Sequence, residues 1–247
     1  MIVIKTPSEL DAMRRVNRIT ARVRDELAAM VRPGITTLDL GNAAGELIRK
    51  RGGSSAFYGY HGFPGQICVS VNDEVVHGIP GPRVIREGDI VSIDTGIRID
   101  GFIGDTAITV AAGAIDPEKQ RLLDVTKASL EAGVAKAIVG NRLGDISHAI
   151  QTVVENAGFS IVREFVGHGI GRDLHEDPQI PNFGKPGRGP RLKVGMTLSI
   201  EPMVNMGQPK VEVLEDKWTV VTKDGSASAH FEHTVAVGLK PEILTLP

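Results

Sequence analysis

Cysteine is nearly absent from the sequence, and this limits both the cross-links and the metal sites that the protein can form. Cys68 is the only cysteine among the 247 residues, which excludes a disulfide within the chain. It also excludes a structural zinc site built on several cysteine thiolates. So little cysteine is typical of proteins in reducing compartments, and we therefore expect a cytoplasmic protein.

Long apolar runs and an excess of one charge are also absent. The first apolar run, residues 1–4, is followed at once by charged side chains, and no segment approaches the roughly 20 apolar residues of a membrane span. We therefore expect neither a signal peptide nor a membrane partner. Lys and Arg together number 28 against 30 Asp and Glu, a net charge of -2, so the composition indicates no nucleic acid substrate.

No long polar or Gly/Ser-rich tract marks a linker between domains. Hydrophobic residues make up 41% of the chain, and a chain of this length can bury one substantial core. We therefore expect residues 1–247 to form a single domain.

Apolar spacing and capping residues predict four helices. They cover residues 7–31, 37–52, 117–138 and 145–157. The two helix pairs resemble each other when the sequence is shifted by 106 positions, which aligns Gly34 with Gly140. An ancient duplication would explain this match, and so would a chance resemblance between two helix pairs that each contain a glycine turn.

Runs of alternating or β-branched residues predict strands between and after the helix pairs. They cover residues 67–71, 90–97, 102–110, 160–166, 197–200, 218–222 and 229–237. Because helices and strands occupy separate parts of the chain, we predict an α+β architecture with helices on one side of a curved, mainly antiparallel sheet.

The segment SIDTGIRIDGFIGDTAITV is a hairpin signal centred on Asp100-Gly101, a pair typical of two-residue turns. If these residues form the turn, counting outward places Asp94 opposite Ala107. Asp105 then lies on the same face as Asp94, as a diagonal neighbour roughly 5 to 8 Å away at the backbone. This separation suits carboxylates that share metal ions, although the pattern alone also fits two aspartates exposed to solvent.

Three further side chains suit the same metal chemistry. Glu201 ends the run MTLSI and Glu232 lies in SASAHFEHTVAV, so both are predicted on inner strands. His168 lies between Gly167 and Gly169, which allow a ligand or the backbone to approach closely. Buried carboxylates need compensating positive charge, and four carboxylates with one imidazole suit divalent ions such as Mn, Fe, Co or Zn.

With these residues in place, the chain resembles the type I methionine aminopeptidases from about residue 5 to residue 240. The resemblance rests on five ordered motifs: YGYHGFPGQICVSVNDEVVHGIP, GDIVSIDTGIRIDGFIGDTA, EFVGHGIGRDLHEDPQIPNFG, TLSIEPM and AHFEHTVAV. It implies the pita-bread fold, a curved, mainly antiparallel sheet with two pseudo-symmetric helix pairs on its outer face. It also implies one catalytic metallo-aminopeptidase domain over residues 1–247, with pseudo-twofold halves at roughly residues 1–112 and 113–247.

The resemblance implies a two-metal centre and a role for each ligand. Asp94 would chelate one ion, and Asp105 and Glu232 would bridge both ions. His168 and Glu201 would complete the shell of the second ion. Two divalent ions per chain are expected from among Co, Mn, Fe, Zn and Ni, and the ligands do not select one of these metals. A hydroxide between the ions would be the nucleophile.

The implied reaction is removal of the initiator methionine from new proteins whose second residue is small. Glu201 would also be catalytic, because it could accept a proton from the hydroxide and pass it to the leaving nitrogen. His175 would hydrogen-bond the tetrahedral intermediate, and His77 would contact the leaving amide. The residues implied in substrate binding are Tyr60, Phe63, Cys68, His77, His175 and Trp218.

Other histidines and some pocket positions carry narrower expectations. The histidines expected to lie outside the centre are His61, His148 and His230. His233 follows Glu232 and is expected on the opposite strand face, in a supporting role. Phe57, Phe63 and Leu174 differ from the residues frequent in the family at these positions, so the methionine pocket is expected to differ in shape.

The implied partners are the N-termini of newly made proteins and peptides, and a transient ribosome contact is a further expectation. Two other functions stay open at this point. A proline-specific aminopeptidase or prolidase-like hydrolase of the same fold would share the five ligands, but such relatives usually carry a long domain before the catalytic half. A non-catalytic, protein-binding member of the fold would have no use for intact ligands, whose mutual repulsion is unfavourable without ions.

Overall fold

The structure, a computed structural model, describes residues 1–247. Its helices are α1 (Pro7–Met30), α2 (Thr37–Lys50), α3 (Pro117–Val134) and α4 (Leu143–Asn156). Its strands are β1 (Ser54–Ser55), β2 (Cys68–Val71), β3 (Glu74–Val76), β4 (Asp89–Ile99), β5 (Phe102–Ala112), β6 (Ser160–Ile161), β7 (Gly167–Gly169), β8 (Glu176–Ile180), β9 (Thr197–Ile200), β10 (Met203–Asn205), β11 (Val211–Val213), β12 (Val220–Thr222), β13 (Ser228–His230), β14 (His233–Ala236) and β15 (Glu242–Ile243). None of the helices contains a stretch long and apolar enough to cross a lipid bilayer.

Helices α1, α2 and α3 begin where the capping residues predicted, whereas α4 begins at Leu143, two residues before the predicted start at residue 145. Thr6 caps α1 and exchanges hydrogen bonds with Glu9 in a capping box, which satisfies backbone N–H groups that have no partner within the helix. Helix α3 ends at Val134, before the predicted residue 138. The chain turns away there because Ile138 forms a β-bridge with Gly238, and this pairing competes with a further helical turn.

The two helix pairs correspond at several positions. The bounds of α4 lie 106 positions after those of α2. Gly34 and Gly140, in the turns before these helices, both have φ of 94°. In the preceding helices, Thr20 and Thr126 are both fully buried and both donate a hydrogen bond to the carbonyl four residues earlier. These equivalences agree with a duplication, which stays a prediction.

Strands β4 and β5 form the predicted hairpin in the predicted register. Asp94 lies opposite Ala107. Asp100 and Gly101 have φ of 49° and 78°, the left-handed values that a type I′ turn requires at both central positions. The register therefore places Asp94 and Asp105 on one face, as the sequence predicted.

The antiparallel pairing and the α+β class are confirmed, but hydrogen bonding divides the strands among four antiparallel sheets. The segment 229–237, predicted as one strand, is interrupted between β13 and β14, because β13 pairs with β10 while β14 pairs with β9 and β15. The segment 160–166 likewise contains only the short strand β6. These interruptions lie beside two of the predicted ligands, Glu232 and His168.

The helices cover the sheets from one side, and their apolar faces form the main cores. Helix α1 packs on β4 and β5, whereas α3 packs on β9, β10 and β13. One core cluster lies under α1 and α2, and a larger one lies under α3 and α4. A third cluster, which includes Phe57, Phe63 and Cys68, adjoins the cavity described next.

Candidate metal centre

The structure brings all five predicted ligands to one cavity of about 280 Å³. Asp94 lies in β4, Asp105 in β5 and His168 in β7. Glu201 follows directly after β9, and Glu232 lies in the interruption between β13 and β14. The prediction that both glutamates lie within strands was therefore wrong, since each lies at a strand end, where the chain leaves the ladder.

These side chains lie close enough together for one metal ion to contact several of them. One potential ligand atom from each of Asp105, His168 and Glu232 lies within 4.8 Å of the other two. The Nε2 atom of His168 lies 3.4 Å from Glu201 Oε1 and 3.8 Å from Asp105 Oδ2. All of these side chains are buried or nearly so.

The glycines beside His168 are required by close backbone packing. A Cβ atom on Gly167 would lie 2.3 Å from the carbonyl oxygen of Ser199, and one on Gly169 would lie 2.1 Å from that of Asp177. Neither position accommodates a side chain. The prediction that these glycines permit a close approach is therefore confirmed, and the approaching group is the backbone of the neighbouring strands.

The hydrogen bond at Nδ1 of His168 determines whether its other ring nitrogen, Nε2, carries a proton. Its Nδ1 lies 2.9 Å from the carbonyl oxygen of Gly169, and a carbonyl only accepts, so Nδ1 carries the proton. Burial, with a smaller effect of His175, lowers the pKa of His168 to about 3. The neutral ring therefore presents a bare Nε2 lone pair to carboxylate oxygens, an arrangement that favours a cation between them.

The carboxylates at this site also favour a cation between them. Burial raises the pKa of Glu201 to about 8, and burial together with the charge of Glu201 raises the pKa of Glu232 to about 8. Burial and then the charge of Glu232 also raise the pKa of Asp94 and of Asp105 well above the ordinary range. One buried oxygen of each aspartate has no hydrogen-bond partner. Divalent ions would satisfy these oxygens and supply the missing positive charge, so the residues fit a metal centre.

Two other predicted residues, His77 and His175, line the same cavity. The Nδ1 atom of His175 lies 2.7 Å from the hydroxyl of Tyr60, and its ring centroid lies 4.4 Å from that of His168. Burial lowers the pKa of His77 to about 4 and also lowers the pKa of His175. Both imidazoles are therefore neutral near pH 7.

The apolar side of the cavity contains the residues predicted for the side-chain pocket. The lining side chains on this side are Phe57, Tyr60, Phe63, Cys68, Leu174 and Trp218. The rings of Phe63 and Trp218 meet edge to face, 5.1 Å apart. Cys68 lies opposite Asp94 in the β2–β4 register, and burial raises the pKa of its thiol. The thiol is therefore a protonated wall of the pocket.

Three side chains at this site were not predicted from the sequence. His230 was expected to lie outside, yet its Nε2 lies 3.4 Å from Glu201 Oε2 in an adjoining cavity of about 460 Å³. His61, also expected outside, lines the smaller cavity. Ser199 donates a hydrogen bond to Glu232. A usable signal existed for His230, because it stands two residues before Glu232, where side chains of an extended chain share a face.

Two remaining histidines lie where they were expected. His233 faces away from the cavity, and its Nδ1 lies 2.7 Å from the hydroxyl of Thr245. His148 is exposed on α4. Neither side chain lines the metal centre.

Comparison with known proteins agrees with this site. The model of metallopeptidase family M24 matches residues 11–238. The chain is 56% identical to methionine aminopeptidase 1 of Bacillus subtilis over 237 residues, which cover 96% of each protein. Its structure is similar to the crystal structure of methionine aminopeptidase from Thermotoga maritima, with a TM-score of 0.98, 48% identity and 100% of each chain covered. The prolidase of Pyrococcus horikoshii is also similar, with a TM-score of 0.80 over 100% of this chain and 64% of that one, but at 17% identity it shows the fold alone.

Proposed function

The chain belongs to metallopeptidase family M24, and on that premise we propose that it is a methionine aminopeptidase that removes the initiator methionine of newly made proteins. One observation carries the proposal: five candidate ligands, buried or nearly so, converge beside an apolar cavity lined by aromatic rings and a thiol. Similarity at 56% identity over nearly the whole chain supports this activity over the proline-specific alternative. We also propose that residues 1–247 form a single catalytic domain with two pseudo-symmetric halves.

The five ligands are proposed to hold two divalent ions. Asp94 would chelate one ion, and Asp105 and Glu232 would hold both. His168 and Glu201 would complete the ligand shell of the second ion. When bound, such ions lower the pKa of water and polarise a carbonyl group. Co, Mn, Fe, Zn and Ni all suit this donor set, and we propose no single metal.

Glu201 is proposed to move the proton that the reaction requires. It would accept a proton from the attacking water and release it to the leaving nitrogen. Its carboxylate lies at the junction of the two cavities, with Oε1 near His168 and Oε2 near His230. A group in this position can reach both the attacking and the leaving side of a bound peptide.

His175 is proposed to donate a hydrogen bond to the reacting carbonyl oxygen. Burial raises the pKa of Tyr60, so its hydroxyl stays protonated, and we assign it as the donor of the hydrogen bond to Nδ1 of His175. The proton of the neutral imidazole then resides on Nε2, where it can serve as a donor. His77 lines both cavities and is proposed to contact the leaving amide.

The apolar side of the smaller cavity is proposed to hold the methionine side chain. A flexible thioether makes favourable contacts with aromatic rings, and Phe63 and Trp218 supply two rings in contact with each other. The rest of the bound peptide would extend past His77 into the larger cavity. We further propose a small second substrate residue, a cytoplasmic location and a transient contact with the ribosome.

A peptide assay separates the candidate functions. The purified protein is incubated with Met-Ala-Ser, Met-Leu-Ser and an Ala-Pro-containing peptide, each with Mn²⁺ and with a chelator. We expect free methionine from Met-Ala-Ser, much less from Met-Leu-Ser, none of the Ala-Pro product, and no release after chelation. Cleavage of the Ala-Pro peptide alone would favour the proline-specific enzyme. No cleavage of any peptide with Mn²⁺ supplied would contradict an enzymatic function.

A further inference from the structure

The two carboxylates proposed to bridge the ions come from segments that are far apart in the sequence and share no sheet. Asp105 lies in β5, and Glu232 lies between β13 and β14, which pair with other strands. At Glu232 a single main-chain hydrogen bond joins these segments, from its N–H to the carbonyl of Ala107 at 2.9 Å. A regular ladder therefore does not determine the separation of the two carboxylates.

Buried threonines supply the other connections. Thr109 exchanges hydrogen bonds with the backbone of His230, and two more threonines act reciprocally on the bridging candidates themselves. Thr106, which follows Asp105, donates from its hydroxyl to the carbonyl oxygen of Glu232 at 2.8 Å. Thr234, two residues after Glu232, donates to the carbonyl oxygen of Asp105, also at 2.8 Å. Both threonines are fully buried. The threonine beside Asp105 therefore holds the backbone carbonyl of Glu232, and the threonine near Glu232 holds the backbone carbonyl of Asp105.

A third side chain orients the hydroxyl of Thr106. The guanidinium of Arg24 donates from Nη1 to Thr106 Oγ1 at 2.7 Å. Since that oxygen accepts from Arg24, its single proton is directed to the carbonyl of Glu232. Asp25 holds the other side of the guanidinium through two hydrogen bonds to one carboxylate oxygen. The buried Arg24 is 6% exposed, and these bonds satisfy its charge.

We propose that Thr106 and Thr234 are positioning residues that set the separation of Asp105 and Glu232 and thereby the affinity of the centre for divalent ions. This inference rests on the proposed function, in which both carboxylates are ligands. Without ions the carboxylates repel each other, and the two hydroxyl-to-carbonyl bonds hold their backbones in place against that repulsion. Partners that orient metal ligands typically contribute about 10- to 100-fold to metal affinity.

The test compares isosteric variants that differ in the hydroxyl. Thr106→Val and Thr234→Val remove the donor at nearly constant volume, whereas Thr106→Ser and Thr234→Ser keep it. Thr95→Val is the matched control, because Thr95 lies opposite Thr106 in the β4–β5 register, is fully buried, and has a hydroxyl with no partner. Each metal-free protein is titrated with MnCl₂ by isothermal titration calorimetry.

We expect each valine variant to bind Mn²⁺ about 10- to 100-fold more weakly than the unchanged protein. The serine variants and Thr95→Val should stay within about 3-fold of the unchanged protein, since they keep every hydroxyl-to-carbonyl bond. Methionine release from Met-Ala-Ser by the valine variants should fall at low Mn²⁺ and recover as Mn²⁺ is raised. A merely structural defect would not recover in this way.

Several outcomes would overturn the proposal. It fails if both valine variants bind Mn²⁺ as the unchanged protein does, or if the serine variants are as weak as the valine variants. It also fails if Thr95→Val weakens binding equally. If Thr106→Val does not fold, the Thr234→Val and Thr234→Ser pair carries the test alone. Absence of Mn²⁺ binding by the unchanged protein would instead contradict the proposed metal centre itself.

Discussion

Residues 1–112 and residues 113–247 position their candidate ligands at the same centre by different means. The first region uses two uninterrupted strands of 11 residues each, in which Asp94 and Asp105 are set by a continuous ladder. The second region uses a three-residue strand for His168 and chain segments outside strands for Glu201 and Glu232. Local register is therefore sufficient on one side of the site, whereas long-range contacts determine the other side.

The second helix of each pair shows the opposite relation, because α2 and α4 are alike. They have equal lengths, and in each the third residue is an aspartate that accepts a hydrogen bond from the backbone N–H of the N-cap residue. This part of the covering layer is therefore alike in the two regions, while the strands that carry the candidate ligands differ. Matched substitutions in each region show whether the two contribute equally to the activity of the centre.

The largest expected effect comes from neutralising one bridging candidate in each region. Asp105→Asn and Glu232→Gln should each lower kcat/KM for Met-Ala-Ser by about 1000-fold or more, equal to ~4 kcal/mol of transition-state stabilisation. Each change removes a charge that both ions are proposed to share. His148→Ala, at the exposed surface of α4, is the control and should match the unchanged protein. Near-normal activity of either ligand variant would show that the two regions are not equivalent at the centre.

A smaller effect is expected from the histidines, again one from each region. His77→Ala and His175→Ala should each lower kcat by about 100-fold while metal binding is retained, because these residues act on the peptide and not on the ions. Tyr60→Phe should reproduce part of the His175 defect, since it removes the donor to Nδ1. A loss of Mn²⁺ affinity in His175→Ala would instead identify it as a metal ligand. Steady-state kinetics and calorimetry together make this distinction.

The pH dependence of stability should change sign with metal. Burial raises the pKa of Glu201 and of Glu232 from 4.5 to about 8 in the folded protein, so their contribution is complete below pH 4.5 and is lost as the pH rises through about 8. The lowered pKa of buried His168 opposes this only below its unfolded value of 6.5. The Tm of the metal-free protein should therefore fall between pH 6.5 and 8.

With saturating Mn²⁺ the trend should reverse, because the ligands must lose protons to bind the ions. Glu201→Gln should flatten the metal-free slope, since it removes one of the carboxyl groups whose pKa is raised. Thermal unfolding monitored by circular dichroism, with chelator or with Mn²⁺, measures both slopes. A metal-free Tm that rises over this pH range would contradict the burial assigned to these glutamates.

The smallest effect concerns the helix starts, where the two regions differ in one detail. The hydroxyl of Thr36 accepts from the backbone of Asp39 at the start of α2, whereas Arg142 at the start of α4 offers no side-chain acceptor. Thr36→Ala should therefore cost about 1 kcal/mol of unfolding free energy. Arg142→Ala should cost less, since it loses only an exposed bond to Gly189. Urea unfolding of the metal-free variants compares the two, and equal losses would contradict the capping argument.

The sequence predicted the first region better than the second for a physical reason. The Asp100-Gly101 turn and the alternation on either side of it are local, so counting outward placed Asp94 and Asp105 correctly. The interruption at Glu232 arises because its flanking strands pair with different partners far along the chain. No local pattern contains that information, and the ligand role predicted for Glu232 came from the resemblance to a known family.

The place of His230 shows the same limit. Its position two residues before Glu232 indicated a shared face, but its contact with Glu201 depends on how β9 and β13 are brought together. The reciprocal bonds of Thr106 and Thr234 depend on the same long-range arrangement. Threonines are common in strands for reasons of packing alone, so their sequence positions carried no sign of this role.

The most direct test of the central claim is anomalous diffraction from a crystal grown with Mn²⁺, measured on both sides of the manganese absorption edge. The account predicts two manganese peaks between the five ligands, one beside Asp94 and one beside His168, with Asp105 and Glu232 between them. Their absence, or carboxylates and an imidazole turned away from the peaks, would contradict it.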